Sequence, residues 1–536
     1  MTRAGRSGRH GRRSGILGLA LALAALLGGP AGALGPSTHL AGVVDAADRD
    51  VARILIGEAA DLDPAIQGDI GSAAVSAQLF ESLTAIDGQL QTRPALAGSW
   101  DFGGGGSTVT FHLRPGLTFS DGSPLAAADV VRSWFRIIDP GQPSPLLSLM
   151  GDVEGALAFA RGDTTDRSAV GLSAEGQDVV VRLTRPASDF PTIVASPTFA
   201  VVPASIENGT ALVPGGGFVG SGGYVLKAAT PEKTTLTANP RYWPGPPAVG
   251  TIELVHDIGG RSTVTAFEAG DIDLADVSPF DATWLAYDDA LGPLLRRTDG
   301  LSLRYYGFDT SRPPFDDVRV RQAFARAVDW RRLIALSSAG AARPATGMVP
   351  PGVPGRSDKD FLPAHDPQGA RALLADAGFP KGSGFPTTTL LGGGLEDAAF
   401  AAEIERELGI TVNVEVQGAG FFERLQEDPP QIFSMGWVAD YPGPNDFLGI
   451  LLGTGTSNNY GRWSSEAFDA AVAEALAASD PTAARTAWDR AEAVVRDEAP
   501  TIPLTYDVGW SLAREGLLGA YDNGMGIIRM AGLAWK

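Results

Sequence analysis

None of the 536 residues is a cysteine. The fold must therefore be held by apolar burial, hydrogen bonds and ion pairs alone. The same absence removes thiolate metal sites and cysteine nucleophiles from the possible chemistry. A chain this long divides into about two to four domains, each with its own core. Apolar side chains make up 44% and charged ones 19% of the residues, which is enough to fill such cores. Apolar and aromatic residues recur along the whole body of the chain, so it is not a disordered polymer.

The first residues, MTRAGRSGRHGRRSG, carry five arginines and no acid. An apolar run from Ile16 to Leu27 follows, then the small residues Ala31-Gly32-Ala33. This three-part layout predicts a secretory signal peptide over residues 1–33, with the mature chain starting at Leu34. The alternative is a retained anchor, for which the apolar run is short. Residues 34–52 read as a linker. Loss of the leader arginines deepens the formal net charge from −20 to about −25. Such a charge excludes nucleic acid as a partner and disfavours anionic membrane surfaces. Without a cysteine at the cleavage point no lipid can be attached there. The expected location is the periplasm or the outer face of the cytoplasmic membrane.

Periodicity predicts strands at Arg53–Ile56, at Val109, Phe111 and Leu113, at Val179, Val181 and Leu183, at Ile252 and Leu254, and over Leu301–Phe308. Helical spacing predicts helices over Ala73–Leu83 and through Val131, Trp134, Phe135 and Ile138. Others start after Asp317, at Asp366-Pro367 and at Asp480-Pro481, where an acid caps and a proline fits the first turn. Gly103–Gly106 reads as a hairpin turn, because no helix start and no Gly-Lys-Ser/Thr follow it.

Catalytic patterns are missing. His39, His112, His256 and His365 are not spaced as a helical metal pair, and there is no Gly-x-Ser-x-Gly or Walker A sequence. A binding module without cofactor is the simpler expectation.

Several segments, in order, resemble the family 5 extracellular solute-binding proteins, the dipeptide and oligopeptide receptors of ATP-binding-cassette importers. They are Leu62-Asp63-Pro64, Gln78–Trp100, Val109–Pro140, Asn239–Pro247, Phe267–Ala275, Tyr305–Asp329, Asp366–Phe379 and Gly436–Leu448. The resemblance implies an α/β fold of two lobes, the periplasmic-binding-protein fold of type II, cluster C. A small α/β region is inserted in its first lobe. The implied parts are lobe I over 53–84, 196–306 and 505–536, the insert over 85–195, and lobe II over 307–504. Ligand binds between the lobes, which close around it.

The resemblance also implies a site. Asp440 falls where peptide-binding relatives pair an acid with the ligand's α-amino group. Gly436 and Val438 fall on the strand that pairs with peptide backbone, Trp437 walls the cleft, and Tyr441 adjoins them. From lobe I come Gln67, Asp69 and Ile70, the last through its backbone, and Leu146. Three positions depart from relatives: Gly68 stands where some carry Glu, Ser144-Pro145-Leu146 where a tyrosine is common, and Ser434 where one has a base. The implied partners are a short peptide or similar small solute and the permease and ATPase of an importer, with the protein itself a monomer. The alternatives are an oligosaccharide, an opine or an amine-bearing metabolite as ligand, or a sensor role without transport.

Overall fold

Ala52 and Ile54 are buried while Val51, Arg53 and Leu55 stay half-buried, the two-residue period of a strand covered on one face. In the computed structural model this strand, Val51–Leu55, lies parallel to Thr251–Val255 and Leu274–Asp276. The structure describes residues 50–536 except 210, 211, 213, 216, 338–341, 419 and 521. The predicted signal peptide, and the linker up to residue 49, lie outside the described residues.

One sheet of twelve strands organises the molecule. Along one half run Val412–Val416, Thr388–Gly392, Ile432–Val438 and Ser302–Phe308. Along the other run Leu274–Asp276, Val51–Leu55, Thr251–Val255, Lys233–Ala238 and Tyr224–Ala229. Between them lies Thr501–Ala513, a strand of 13 residues that pairs with both halves. Its first residues pair with Arg304–Gly307 and with Ala342–Pro344, and Val508 onward pairs with Leu295–Asp299 and Leu274–Asp276. Each half keeps its own cores. Tyr306, Phe308, Phe324 and Phe400 fill one face of the first half, and Tyr305, Met435, Phe447 and Trp488 the other. Adjacent Tyr305 and Tyr306 enter different cores, as alternation along a strand requires. In the other half, Ile54, Leu79, Tyr224 and Leu254 share a core, and Phe267, Leu285 and Leu512 another.

A separate antiparallel sheet has the order Ala97–Gly103, Thr108–Leu113, Asp178–Arg182, Leu172–Glu175. Helix Ala127–Ile137 covers it. Trp134 packs edge-on against Phe199 at 5.2 Å and Phe111 at 6.4 Å. The Gly103–Gly106 turn closes the first hairpin as expected, with Gly104, Gly105 and Gly106 all at positive φ.

Predicted caps are found at Val318–Ala327, Pro367–Asp376 and Pro481–Glu498. Asp317, Asp366 and Asp480 accept from backbone amides in each first turn. The helix expected over residues 73–83 instead spans Ile70–Leu79. Asp69 caps it three residues earlier, and the chain turns extended at Phe80 so that Glu81 can bridge to Val201. Among the described residues no helix is long and apolar enough to cross a membrane.

Candidate functional site

The strand Ile432–Val438 is buried through Met435 and then surfaces, with Gly436 and Val438 exposed and Trp437 half-buried. One edge pairs with Ser302–Phe308 along its whole length. On the other edge Thr388–Gly392 reaches only Ile432 and Phe433. Gln417 Nε2 donates to the Ser434 carbonyl at 2.8 Å, and beyond it no strand among the described residues covers this edge. An uncovered edge keeps backbone donors and acceptors available to another extended chain.

A cavity of about 580 Å³ opens beside that edge. Its walls bring together Gln67, Asp69, Ile70 and Leu146 with Gly436, Trp437, Val438 and Asp440, from three distant parts of the chain. Ile70 is the first residue of its helix, so its N–H has no intrahelical partner. Its side chain is half exposed. Gln67 is buried and donates through Nε2 to Thr198 Oγ1 at 2.9 Å. Asp69 is engaged within its own helix, accepting from the Ser72 amide at 2.9 Å and its hydroxyl at 2.6 Å, bonds that hold its carboxyl below the ordinary carboxylate range. A Cβ on Gly68 would come within 3.0 Å of Pro145 Cβ, so a side chain there is accepted only if Pro145 gives way. Ser434, within the strand, is buried.

Asp440 is held differently. Its amide donates to Asp446 Oδ2 at 3.2 Å, and Trp437 Nε1 donates to the same oxygen at 3.0 Å. These two bonds fix the turn that ends the strand and aim Trp437 and Asp440 together. Asp440 Oδ2 itself is shut off from solvent and has no hydrogen-bond partner among the described residues. Burial pushes the Asp440 carboxyl up to about 6. Asp446, fully buried, is raised well above the ordinary range by burial and then by the neighbouring charge of Asp440. A buried carboxylate oxygen without a donor is costly unless a cation completes it.

Tyr441 lies beside this cavity and does not line it. It is buried, donates to Asp189 Oδ2 at 2.9 Å and accepts from Asn445 Nδ2 at 3.0 Å. With Asp440 it borders a smaller cavity of about 50 Å³. Burial lifts Asp189 to about 6.

Sequence reasoning missed Phe422, Met435, Tyr460, Met525 and Ile527, which complete the apolar part of the wall. Met525 and Ile527 come from a loop near the C-terminus and carry no local signal. Asp446 lay six residues beyond Asp440 in the same segment, and a search for paired acids would have found it. A second cavity, about 640 Å³, adjoins the first through Ser148 and Asn458.

The profile described as bacterial extracellular solute-binding proteins, family 5 Middle, matches residues 91–459. The chain is 30% identical over 471 residues to the "Probable deoxycholate-binding periplasmic protein YgiS" of Escherichia coli K12, covering 83% of this chain and 85% of that one. It is 28% identical to the periplasmic oligopeptide-binding protein OppA of the same organism, over 88% of this chain and 90% of that one. Among solved structures, the murein tripeptide-binding protein MppA of Escherichia coli in its unliganded open form superposes with a TM-score of 0.76. It is 25% identical, with 91% of this chain and 98% of that one covered.

Proposed function

Because the chain belongs to the bacterial extracellular solute-binding proteins of family 5, and so shares their two-lobed α/β fold, we propose that it captures short peptides by their free amino end and delivers them to the permease of an ATP-binding-cassette importer. The observation that carries this reading is Asp440 Oδ2, buried with no donor among the described residues, just past a strand edge that no described strand covers beyond Phe433. A peptide supplies both missing partners: an α-ammonium for the carboxylate, and a backbone to pair with Met435–Val438 whatever its sequence. Apolar side chains of the ligand then find Ile70, Leu146, Phe422, Trp437 and Met525.

Deoxycholate, named for one relative, carries a carboxylate, and the cavity beside Asp440 offers it no lysine or arginine among the described residues. The acid in the wall favours the peptide reading over that one. In the same reading the lobes meet at the long strand Thr501–Ala513, lobe II spans residues 307–504, and the insert spans 85–195. Residues 1–33 are the export signal.

The test is retention from a mixture. Purified protein is equilibrated with random tetrapeptides in free and N-acetylated form, and the bound fraction is identified by mass spectrometry. Free peptides should be retained intact and acetylated ones left behind. Equal retention of both, or steady appearance of fragments, overturns the proposal.

A further inference from the structure

The cavity beside Asp440 has two acids in its wall, Asp69 and Asp440, and no base among the described residues. A peptide acid bound by its ammonium brings a carboxylate further along the cleft, by about 3.3–3.6 Å for each extended residue. That group needs a cation, a donor set or water, since burying it unpaired is costly.

The adjoining cavities do not provide the cation. Arg185 is the one base of the second cavity among the described residues, and it already pairs with Asp152 Oδ2 at 2.6 Å and donates to the Pro186 carbonyl at 3.2 Å. Asp469 adds another acid to that wall. Arg529 borders the small cavity behind Asp440, and its guanidinium pairs with the buried Glu81 at 2.5 Å, which Tyr242 also approaches at 2.5 Å. Ser434, on the strand itself, is a buried serine and adds no base. Both arginines near the ligand space are therefore neutralised by acids of their own, and Asp440 leaves the space with a surplus of negative charge.

Resting on the peptide reading above, we infer that this cleft recognises only the ammonium end of its ligand and does not read a terminal carboxylate. Peptide amides, and peptides long enough to carry the carboxylate away through the second cavity, then bind at least as well as short peptide acids. Coulomb repulsion from Asp440 acts on a nearby carboxylate and is absent for an amide.

The experiment uses one random tetrapeptide mixture in four end-group forms: free, C-terminally amidated, N-acetylated, and blocked at both ends. Each is equilibrated with the full-length protein, and the retained amounts are compared by mass spectrometry. The expected pattern is amide retained equally with or above the free form, and both far above the N-acetylated forms. Preference for the acid over the amide by about threefold or more shows a carboxylate reader and overturns this inference while leaving the amine reading intact. Retention that ignores N-acetylation, or no retention of any form, overturns the amine reading and this inference with it.

Discussion

In the proposed reading, Asp440 gives up stability for binding. In the empty protein its carboxyl is raised to about 6 by burial. A carboxyl with a raised folded-state value stabilises the fold in its neutral form below the unfolded value, and that contribution is lost as pH rises through about 6. Asp440→Asn should therefore raise the melting temperature of the unliganded protein at neutral pH, by scanning calorimetry. The same change should weaken binding of a free-amine peptide by about 2–5 kcal/mol, because the ligand's ammonium is then buried without its charge partner. An ammonium ligand lowers the carboxyl's value in the complex. Affinity should thus be level between about 6 and the ligand amine's own titration at about 8, and fall as pH drops below about 6; titration calorimetry across that range checks the sign. A buried pair elsewhere has a purely structural role: Arg136 and Asp63 are both buried and joined by Nη2 and Oδ2. Arg136→Met leaves Asp63 charged with no cation facing it. The expected loss is about 3–5 kcal/mol, read as a lower urea midpoint.

Elements whose signals are local were legible in the sequence; elements set by distant partners were not. Asp317, Asp366 and Asp480 announce their helices because a cap bonds within its own first turn. The helix Ile70–Leu79 was misplaced because alanines and serines blur its apolar stripe, and because its end is fixed by the bridge from Glu81 to Val201, more than a hundred residues away. Likewise Trp437 and Asp440 could be singled out from one segment, whereas Met525 and Ile527 reach the cavity only through the fold. Two element-scale predictions follow from the sheets. Gly307 faces Phe433 across paired strands, and a Cβ there would fall 2.1 Å from the Phe433 ring. Gly307→Ala must push that ring out of its core, so unfolding should move to lower denaturant by about 1–3 kcal/mol or more. On the separate sheet, His112 Nδ1 bonds Asp178 at 2.8 Å and Nε2 bonds Asp101 at 3.1 Å. These bonds, that to Asp178 first, raise its pKa, so its stabilisation is present below the unfolded value and lost as pH rises through the folded one. The melting difference between wild type and His112→Gln should be larger at acidic than at alkaline pH.

At the scale of the whole molecule, the ligand space is built from separate bodies. Gln67–Ile70 leads into a helix packed with one half of the sheet, while Met435–Asp440 extends from the other half, whose core also takes in Met525. Among the described residues, few polar bonds tie the half that carries Met435–Asp440 to the region with the separate sheet. Tyr441 donates to Asp189 at 2.9 Å, and the Ser188 amide donates to the Leu476 carbonyl at 3.3 Å. The long strand Thr501–Ala513 pairs with both halves, and in the proposed reading a small rotation about it changes the width of the cavity without breaking either core. The fold superposes on a relative solved in its unliganded open form. A ligand drives closure only through contacts it makes better in the closed form, and a peptide held by Asp440 gains them when Ile70 and Leu146 approach. Small-angle scattering with a retained tetrapeptide at saturation should show a smaller radius of gyration than the empty protein. The unfolding free energy should rise by about 2.7 kcal/mol at a hundredfold excess over Kd. If the free energy rises as mass action requires but the radius does not change, binding occurs in a rigid cleft and the hinge at Thr501–Ala513 is refuted. If Asp440→Asn abolishes the compaction at peptide concentrations that still saturate it, the ammonium contact is the one that drives the lobes together.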